Sequence, residues 1–468
     1  MGELNPISPS NQSKRPQPPS GTRNCLCPRW FAHTDPRTTT RKVAILANHT
    51  DLSQPDRGFA AFVAMMAALM MLGALGLDGM LPGLPTIARD LDISSPNGSQ
   101  MVVAFYGLSI GLGTIVYGPL MDRYGRRPFL LAGLAGFALS SALAAAATSL
   151  TMLLAARILQ GVTIASARVG AISVIRDRYH GPRMAQVMSI AMLVFMASPI
   201  FAPALGQSVL AFVSWRWLFG MLSLLALLLA IWIGVDLPES LHPQDQRAIS
   251  ARELLAAFGA TIRNRQGMGY TLAGALTFAA LFAFITSASQ LINDTFDAGG
   301  HFALIFGAIS LFTAVASLLN ARWVLRLGTR PLSAGALAVS IVTAAIHLAI
   351  ALSGHETLMS FLVLEGLWMF CFGLMAGNFG ALAMEPMGHI AGSAASTQGF
   401  ITMVVGAFIG FVIGQAFDGT AVPLTAGTLA CGFATLAVTA FAERGRLFRS
   451  GQGADTDRAE QLLQGDLS

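Results

Sequence analysis

Only a few side chains in this sequence can carry a proton or a charge away from water, and their scarcity makes them informative. The first is Asp78, in Leu75-Gly76-Leu77-Asp78-Gly79-Met80-Leu81-Pro82-Gly83-Leu84-Pro85, after residues 59–77, which contain no charge at all. An ionised carboxylate in a membrane span costs roughly 2.5–3.5 kcal/mol even on the lenient insertion scale. Such a group is kept where it faces water and can load and release a proton. The residues alone leave a second placement open, with the span ending near Leu81 and Asp78 paired or snorkelling at the interface. Arg157, in Arg157-Ile158-Leu159-Gln160-Gly161, is the second group. A guanidinium in hydrocarbon needs an anionic or carbonyl partner; it either responds to protonation of Asp78 or serves packing alone. Glu365 and Asn378 are buried polar candidates for a cavity wall, together with Asp78, Met80, Tyr106 and Gln160. Glu365 is also a candidate second titrating site, whereas His347 is expected to be a satisfied core residue. Arg168, eleven residues after Arg157, receives no role.

A second constellation is polar and compact: Gly118-Pro119-Leu120-Met121-Asp122-Arg123-Tyr124-Gly125-Arg126-Arg127-Pro128, between two apolar stretches. Gly118 lets its helix approach a neighbour closely. Asp122 ends that helix, where the helix dipole disfavours an anion, so it needs a basic side chain or another helix N-terminus as partner. The plainer reading is a positively charged loop, which needs the arginines but not Gly118, Asp122 and Gly125 at this spacing. A worn copy follows later, with Asn320-Ala321-Arg322-Trp323 and Arg326-Leu327-Gly328-Thr329-Arg330. Asn320 lacks the charge, so any equivalent contact there is expected to be weaker.

The elements that must hold these groups follow from composition. Hydrophobic residues are 54 % of 468 and charged residues 11 %, against about 25 % charged in soluble domains; mean hydropathy is +0.61. At about 20 residues per crossing, residues 59–442 hold about twelve spans. The hydropathy places them at 59–83, 98–121, 128–148, 150–175, 185–210, 215–235, 268–291, 302–325, 331–353, 358–384, 394–417 and 421–442. The expected division is a disordered tail at 1–57, a six-helix bundle at 58–235, a polar linker at 236–267, a second bundle at 268–442 and a tail at 443–468. Arginines concentrate on one side: Arg123, Arg126 and Arg127, then Arg176, Arg178 and Arg183, the linker, Arg326 and Arg330, and Arg444. That bias predicts cytoplasmic termini. The net charge of +5 therefore serves orientation and gives no argument for nucleic acid. Cys25 and Cys27 lack further ligands at zinc spacing. No ATP-binding Gly-x-x-x-x-Gly-Lys loop occurs, and no nucleophile elbow is expected, so neither an ATP-driven pump nor a membrane enzyme is indicated. No cofactor or metal is expected.

The charged turn resembles the loop between the second and third spans of the major facilitator superfamily, and two six-span halves match its repeat architecture. That resemblance implies an all-α membrane fold of about twelve helices in two bundles. It implies that Asp122 caps the start of the eleventh span near Gly392-Ser393, and that Arg126 pairs with Asp177 after the fourth. These contacts, with Gly118, Arg123, Gly125 and Arg127, would form a cytoplasmic gate. The stretch around Asp78 is similar to the first span of the Bcr/CflA drug-resistance subfamily, which implies Asp78 as proton carrier with Arg157 responding. Pro199, Pro203 and Gly206 match the antiporter pattern of the fifth span, where Gln207 replaces a more usual glycine. The expectation is a proton-coupled exporter of small lipophilic or drug-like compounds in the bacterial inner membrane, acting as a monomer. The alternatives are a proton-coupled importer of a nutrient or metabolite on the same fold and, more distantly, a receptor or scaffold.

Overall fold

A computed structural model describes residues 57–242, 244 and 258–445; both tails and most of the linker, including Arg247 and Arg252, lie outside the described residues. Side chains at 388–393 also lie outside them. Twelve helices among the described residues are long and apolar enough to cross a membrane. They are α1 Gly58–Asp90, α2 Gln100–Tyr124, α3 Arg126–Ala145, α4 Leu150–Arg178, α5 Gly181–Leu210, α6 Arg216–Asp236, α7 Arg265–Thr295, α8 Gly299–Leu327, α9 Thr329–Leu352, α10 Leu358–Met387, α11 Ala394–Gln415 and α12 Val422–Ala442. Even the shortest, at 20 residues, spans about 30 Å at 1.5 Å per residue.

The packing makes two groups of six. In the first half α4 lies against α2 and α3, and α3 against α6; in the second α7 packs on α11 and α12, and α10 on α8 and α9. The halves meet along α2 with α11 and along α5 with α8. Small residues allow this approach. A Cβ added at Gly111 would lie 2.7 Å from Val404, and one at Gly113 would lie 2.6 Å from both Ala165 and the Val162 carbonyl. The perimeter carries large exposed apolar side chains such as Leu139, Val235 and Leu325, as lipid contact requires.

Several boundaries differ from the hydropathy reading. The first span does not stop at 83: helix gives way at Gly79 and Met80, passes through a 3-10 turn at Leu81–Gly83, and resumes over Leu84–Asp90. Pro82 and Pro85 remove two backbone donors, which fits an interruption rather than an end. The fourth and fifth spans are longer than expected, because the helix runs to Arg178 and restarts at Gly181.

Candidate functional site

Asp78 is the last residue before the break in α1 and is 4 % exposed. Its carboxyl makes no hydrogen bond or ion pair with another described residue. Arg157 from α4 lies in the same half and is fully buried. Its Nη2 donates to the Gly76 carbonyl at 3.0 Å, its Nε to Val102 O at 2.9 Å and its Nη1 to Gln160 Oε1 at 2.8 Å. Its Cζ sits 4.0 Å from the centroid of the Tyr106 ring. Tyr106 donates to Gly73 O at 2.8 Å, and Gln160 Nε2 to Ser141 Oγ at 2.6 Å. The guanidinium is thus held by carbonyls of α1 and α2, and one of these lies two residues from the unpartnered acid.

This geometry moves two residues from the expected cavity wall. Tyr106 and Gln160 are wholly enclosed in the first half, because both are used up in orienting Arg157. Met80 is also buried and lines a small cleft with Leu75, Gly79, Gly206 and Phe219. Glu365 and Asn378 sit inside the second half. Asn378 donates to Asn320 Oδ1 at 2.9 Å and to Leu374 O at 2.8 Å. Glu365 lies 3.9 Å from Nδ1 of His347, whose Nε2 is 2.7 Å from Glu356. None of these five residues lies on an open wall in this conformation.

The fifth helix reaches the break directly. A Cβ at Gly206 would stand 1.9 Å from the Gly79 carbonyl oxygen, so α5 and the interrupted α1 touch backbone to backbone. Pro199 and Pro203 lie within α5. One residue after Gly206, Gln207 Nε2 donates to Gly300 O at 2.7 Å and its Oε1 accepts from Ala303 N at 2.8 Å. That joins the first half to α8.

In the charged turn, Arg126 is 5 % exposed and pairs with Asp122 within the motif and with Asp177 at 3.1 Å. Asp122 pairs within its own turn, and among the described residues no charge pair from it crosses to the second half. The expected contact at Gly392-Ser393 falls on side chains outside the described residues. Gly118 does face α11, since its Cβ would lie 3.7 Å from Ser396 Oγ. Gly125 has φ +105° and ψ 157°, a region that only glycine enters readily. Arg127 donates to the Gly234 carbonyl, whereas Arg123 lies over the ring of its neighbour Tyr124.

Sequence reasoning missed the group that organises this turn. Glu239, just after α6, accepts from the backbone N–H of Arg126 at 2.8 Å and of Arg127 at 3.1 Å. A carboxylate there satisfies two orphan donors at the start of α3 and meets the positive end of its dipole. The worn copy is no weaker in ion pairs: Arg330 meets Glu385 at 2.6 Å and Glu443 at 2.9 Å. Glu443 supplies the charge that Asn320 lacks. Nothing in the local sequence marks either carboxylate for these contacts.

At the opposite end, uncharged amides join the halves. Gln100 donates to Gln290, and Gln290 Nε2 donates to Pro96 O at 2.9 Å. Gln415 donates to Asn97 O at 2.9 Å, and Asn97 returns a bond of the same length to Gln415 O. One further correction concerns Gly107-Leu108-Ser109-Ile110-Gly111, which does have the spelling of a nucleophile elbow. It lies inside α2, where Ser109 Oγ donates to Phe105 O at 2.6 Å, and no strand precedes it among the described residues. Its glycines serve packing.

A family model described as Major Facilitator Superfamily matches residues 58–411. Among curated proteins, the chain is 29 % identical over 388 residues to a bicyclomycin resistance protein homolog of Haemophilus influenzae, covering 79 % of this chain and 93 % of that protein. It is 27 % identical over 393 residues to the multidrug resistance protein MdtL of Klebsiella pneumoniae, covering 80 % and 94 %. A solved D-xylose-proton symporter superposes with TM-score 0.64 at 16 % identity, over 84 % of this chain and 98 % of that one. At that identity the likeness is one of fold.

Proposed function

This chain belongs to the Major Facilitator Superfamily, and from that membership we propose that it is a proton-coupled exporter of small lipophilic or drug-like compounds. The multi-pass membrane transporter is the established part; direction, coupling and cargo are the proposal. The relatives named for bicyclomycin and multidrug resistance support export. The observation that carries the coupling is Asp78, a buried carboxyl with no hydrogen-bond partner among the described residues, two positions from a carbonyl that holds the Arg157 guanidinium. Such an acid has no fixed counter-charge, so a proton is the partner that neutralises it in hydrocarbon.

The mechanism uses contacts already described. Asp78 takes a proton from outside, and the change in charge is felt by the Gly76 carbonyl, by Arg157 and by the break at Gly79. Gly206 rests on the Gly79 carbonyl, and Gln207 beside it holds α8 of the other half. Protonation thereby reaches a contact between the halves through packed backbone. The amides at Asn97, Gln100, Gln290 and Gln415 then part as the halves rock, and the turn at Asp122–Arg127 closes the cytoplasmic side. The proton leaves inward and the cargo outward. One proton entering across about 100 mV releases about 2.3 kcal/mol, and each pH unit adds about 1.4 kcal/mol. Together they sustain roughly a 500-fold gradient of a neutral compound.

A drug-susceptibility panel with and without the protein identifies usable cargo. Everted membrane vesicles then set the direction: an exporter accumulates that compound inside them when they are energised. Accumulation only in right-side-out vesicles would instead make the protein an importer.

A further inference from the structure

Arg168 is a cation well inside α4 that takes no part in the proton scheme. It lies in α4 eleven residues after Arg157 and ten before the end of the helix at Arg178. Ten residues at 1.5 Å per residue set it about 15 Å from that end. Eleven residues make three helical turns, so Arg168 shares the face of α4 that holds Arg157. Unlike Arg157, its side chain is exposed. That exposure is not to the lipid perimeter, because Nη1 lies 3.6 Å from Met403 Sδ on α11, a helix of the other half. The guanidinium carbon also stands 5.8 Å from the centre of the Phe195 ring on α5. The group therefore opens into the space between the halves.

No carboxylate answers it. Arg168 makes no ion pair with a described residue. The facing helix α11 has no ionisable residue between Ala394 and Gln415, and α5 has only Arg183, near its start. On α2 the ionisable groups are Asp122, committed to Arg126, and Arg123 at the helix end, besides the enclosed tyrosine and Tyr117 and Tyr124. On α1, Asp78 is enclosed within the first half. The groups the charge touches are soft and apolar, Phe195 on α5 and Met403 on α11, and Met188 and Met192 precede Phe195 at helical spacing on α5. Thioethers and an aromatic ring beside a free guanidinium suit a flat apolar body carrying an acidic group, since guanidinium binds carboxylate, sulfonate and phosphate alike with charge-assisted hydrogen bonds.

We propose that Arg168 is the charge-selecting contact of the cargo site, so that this transporter favours amphipathic organic anions over cations of the same shape. The inference rests on cargo passing between the halves, but not on proton coupling or on direction. The test uses the full-length protein in nanodiscs and two dyes on one xanthene scaffold, fluorescein at mildly alkaline pH as the anion and a cationic rhodamine ester. Binding is read by fluorescence anisotropy without a pH gradient, so it stands or falls apart from Asp78. The wild type is expected to bind fluorescein about tenfold or more tightly than the rhodamine, the scale of one hydrogen bond to a charged group. Arg168→Gln should remove that preference, Arg168→Lys retain most of it, and Arg168→Glu reverse it. Equal affinities, tighter rhodamine binding or no fluorescein binding by folded wild type overturns the proposal. So does an unchanged preference in folded Arg168→Gln; where that variant does not fold, the wild-type measurement and Arg168→Lys still decide.

Discussion

Asp78 and Arg157 lie in the same half with opposite satisfaction: the acid has no hydrogen-bond partner among the described residues, and the base has three. This asymmetry assigns them different tasks, one to exchange a proton and the other to hold α1, α2 and α4 in register. Replacing Arg157 by Leu removes three charge-assisted bonds, to the Gly76 and Val102 carbonyls and to Gln160. Hydrogen bonds to a charged group contribute about 1.5–3 kcal/mol each, offset in part by the charge no longer buried, so the variant should lose on the order of 3–5 kcal/mol and melt well below wild type in detergent. Arg157→Lys should recover part of the loss; a melting point unchanged in the Leu variant would refute the anchoring role. Asp78 and Arg157 were legible in the sequence because a charge stands out in an apolar run. Their difference was not, since backbone carbonyls look alike in any sequence and only the fold decides which of them a guanidinium meets.

At the scale of the helix, the turns before α3 and α9 invite a direct comparison. Both pivot on a glycine in the same rare backbone region, Gly125 at φ +105° and Gly328 at φ +83°. A Cβ at Gly125 would also fall 2.6 Å from Glu239 Oε2, whereas at Gly328 its nearest neighbour is Pro331 at 3.6 Å. Gly328→Ala should therefore cost only the backbone strain, about 1–3 kcal/mol. Gly125→Ala should cost more and loosen the Glu239 cap as well; thermal melts of the two variants, with Glu239→Gln as reference, check the order. Gly206→Ala belongs to the same scale. Its methyl would overlap the Gly79 carbonyl, so α5 must shift, at about 1–3 kcal/mol for overpacking, and transport should fall more than folding does. An active Gly206→Ala protein would sever the proposed route from α1 to α5. Hydropathy alone located all twelve helices, because lipid demands long apolar runs. It misjudged α1, where glycines and prolines signal an end as readily as an interruption. Glu239 as a cap and Glu443 as an ion-pair partner were invisible because each meets a turn about 113 residues distant, a separation at which local spacing carries no information.

For the whole molecule, the contrast lies between its two ends. The turn at Asp122–Arg127 is ionic and satisfied within the first half, whereas the opposite end is closed by amides that cross between halves. Amides do not titrate, so that closure should respond little to pH by itself and must be opened through the helices. Spin labels at Ser94 and Thr420, exposed on either side of it, should move apart in a Gln100→Ala, Gln415→Ala double variant. Distances unchanged from wild type would show that packing of α2 on α11 closes this end without them. The sequence foretold two halves, but not the amide closure. Asn and Gln at the ends of spans read as ordinary interfacial polarity until the fold brings residues 97, 100, 290 and 415 together.

The central claim is that proton movement through Asp78 is tied to cargo movement. Its most direct test is proton flux, recorded with a pH-sensitive dye sealed inside proteoliposomes as a compound from the susceptibility panel is added. Wild type should move protons opposite to the compound, while Asp78→Asn should still exchange labelled for unlabelled compound yet move no protons. Undiminished proton flux in the variant, or transport by wild type with no proton flux at all, would contradict the account.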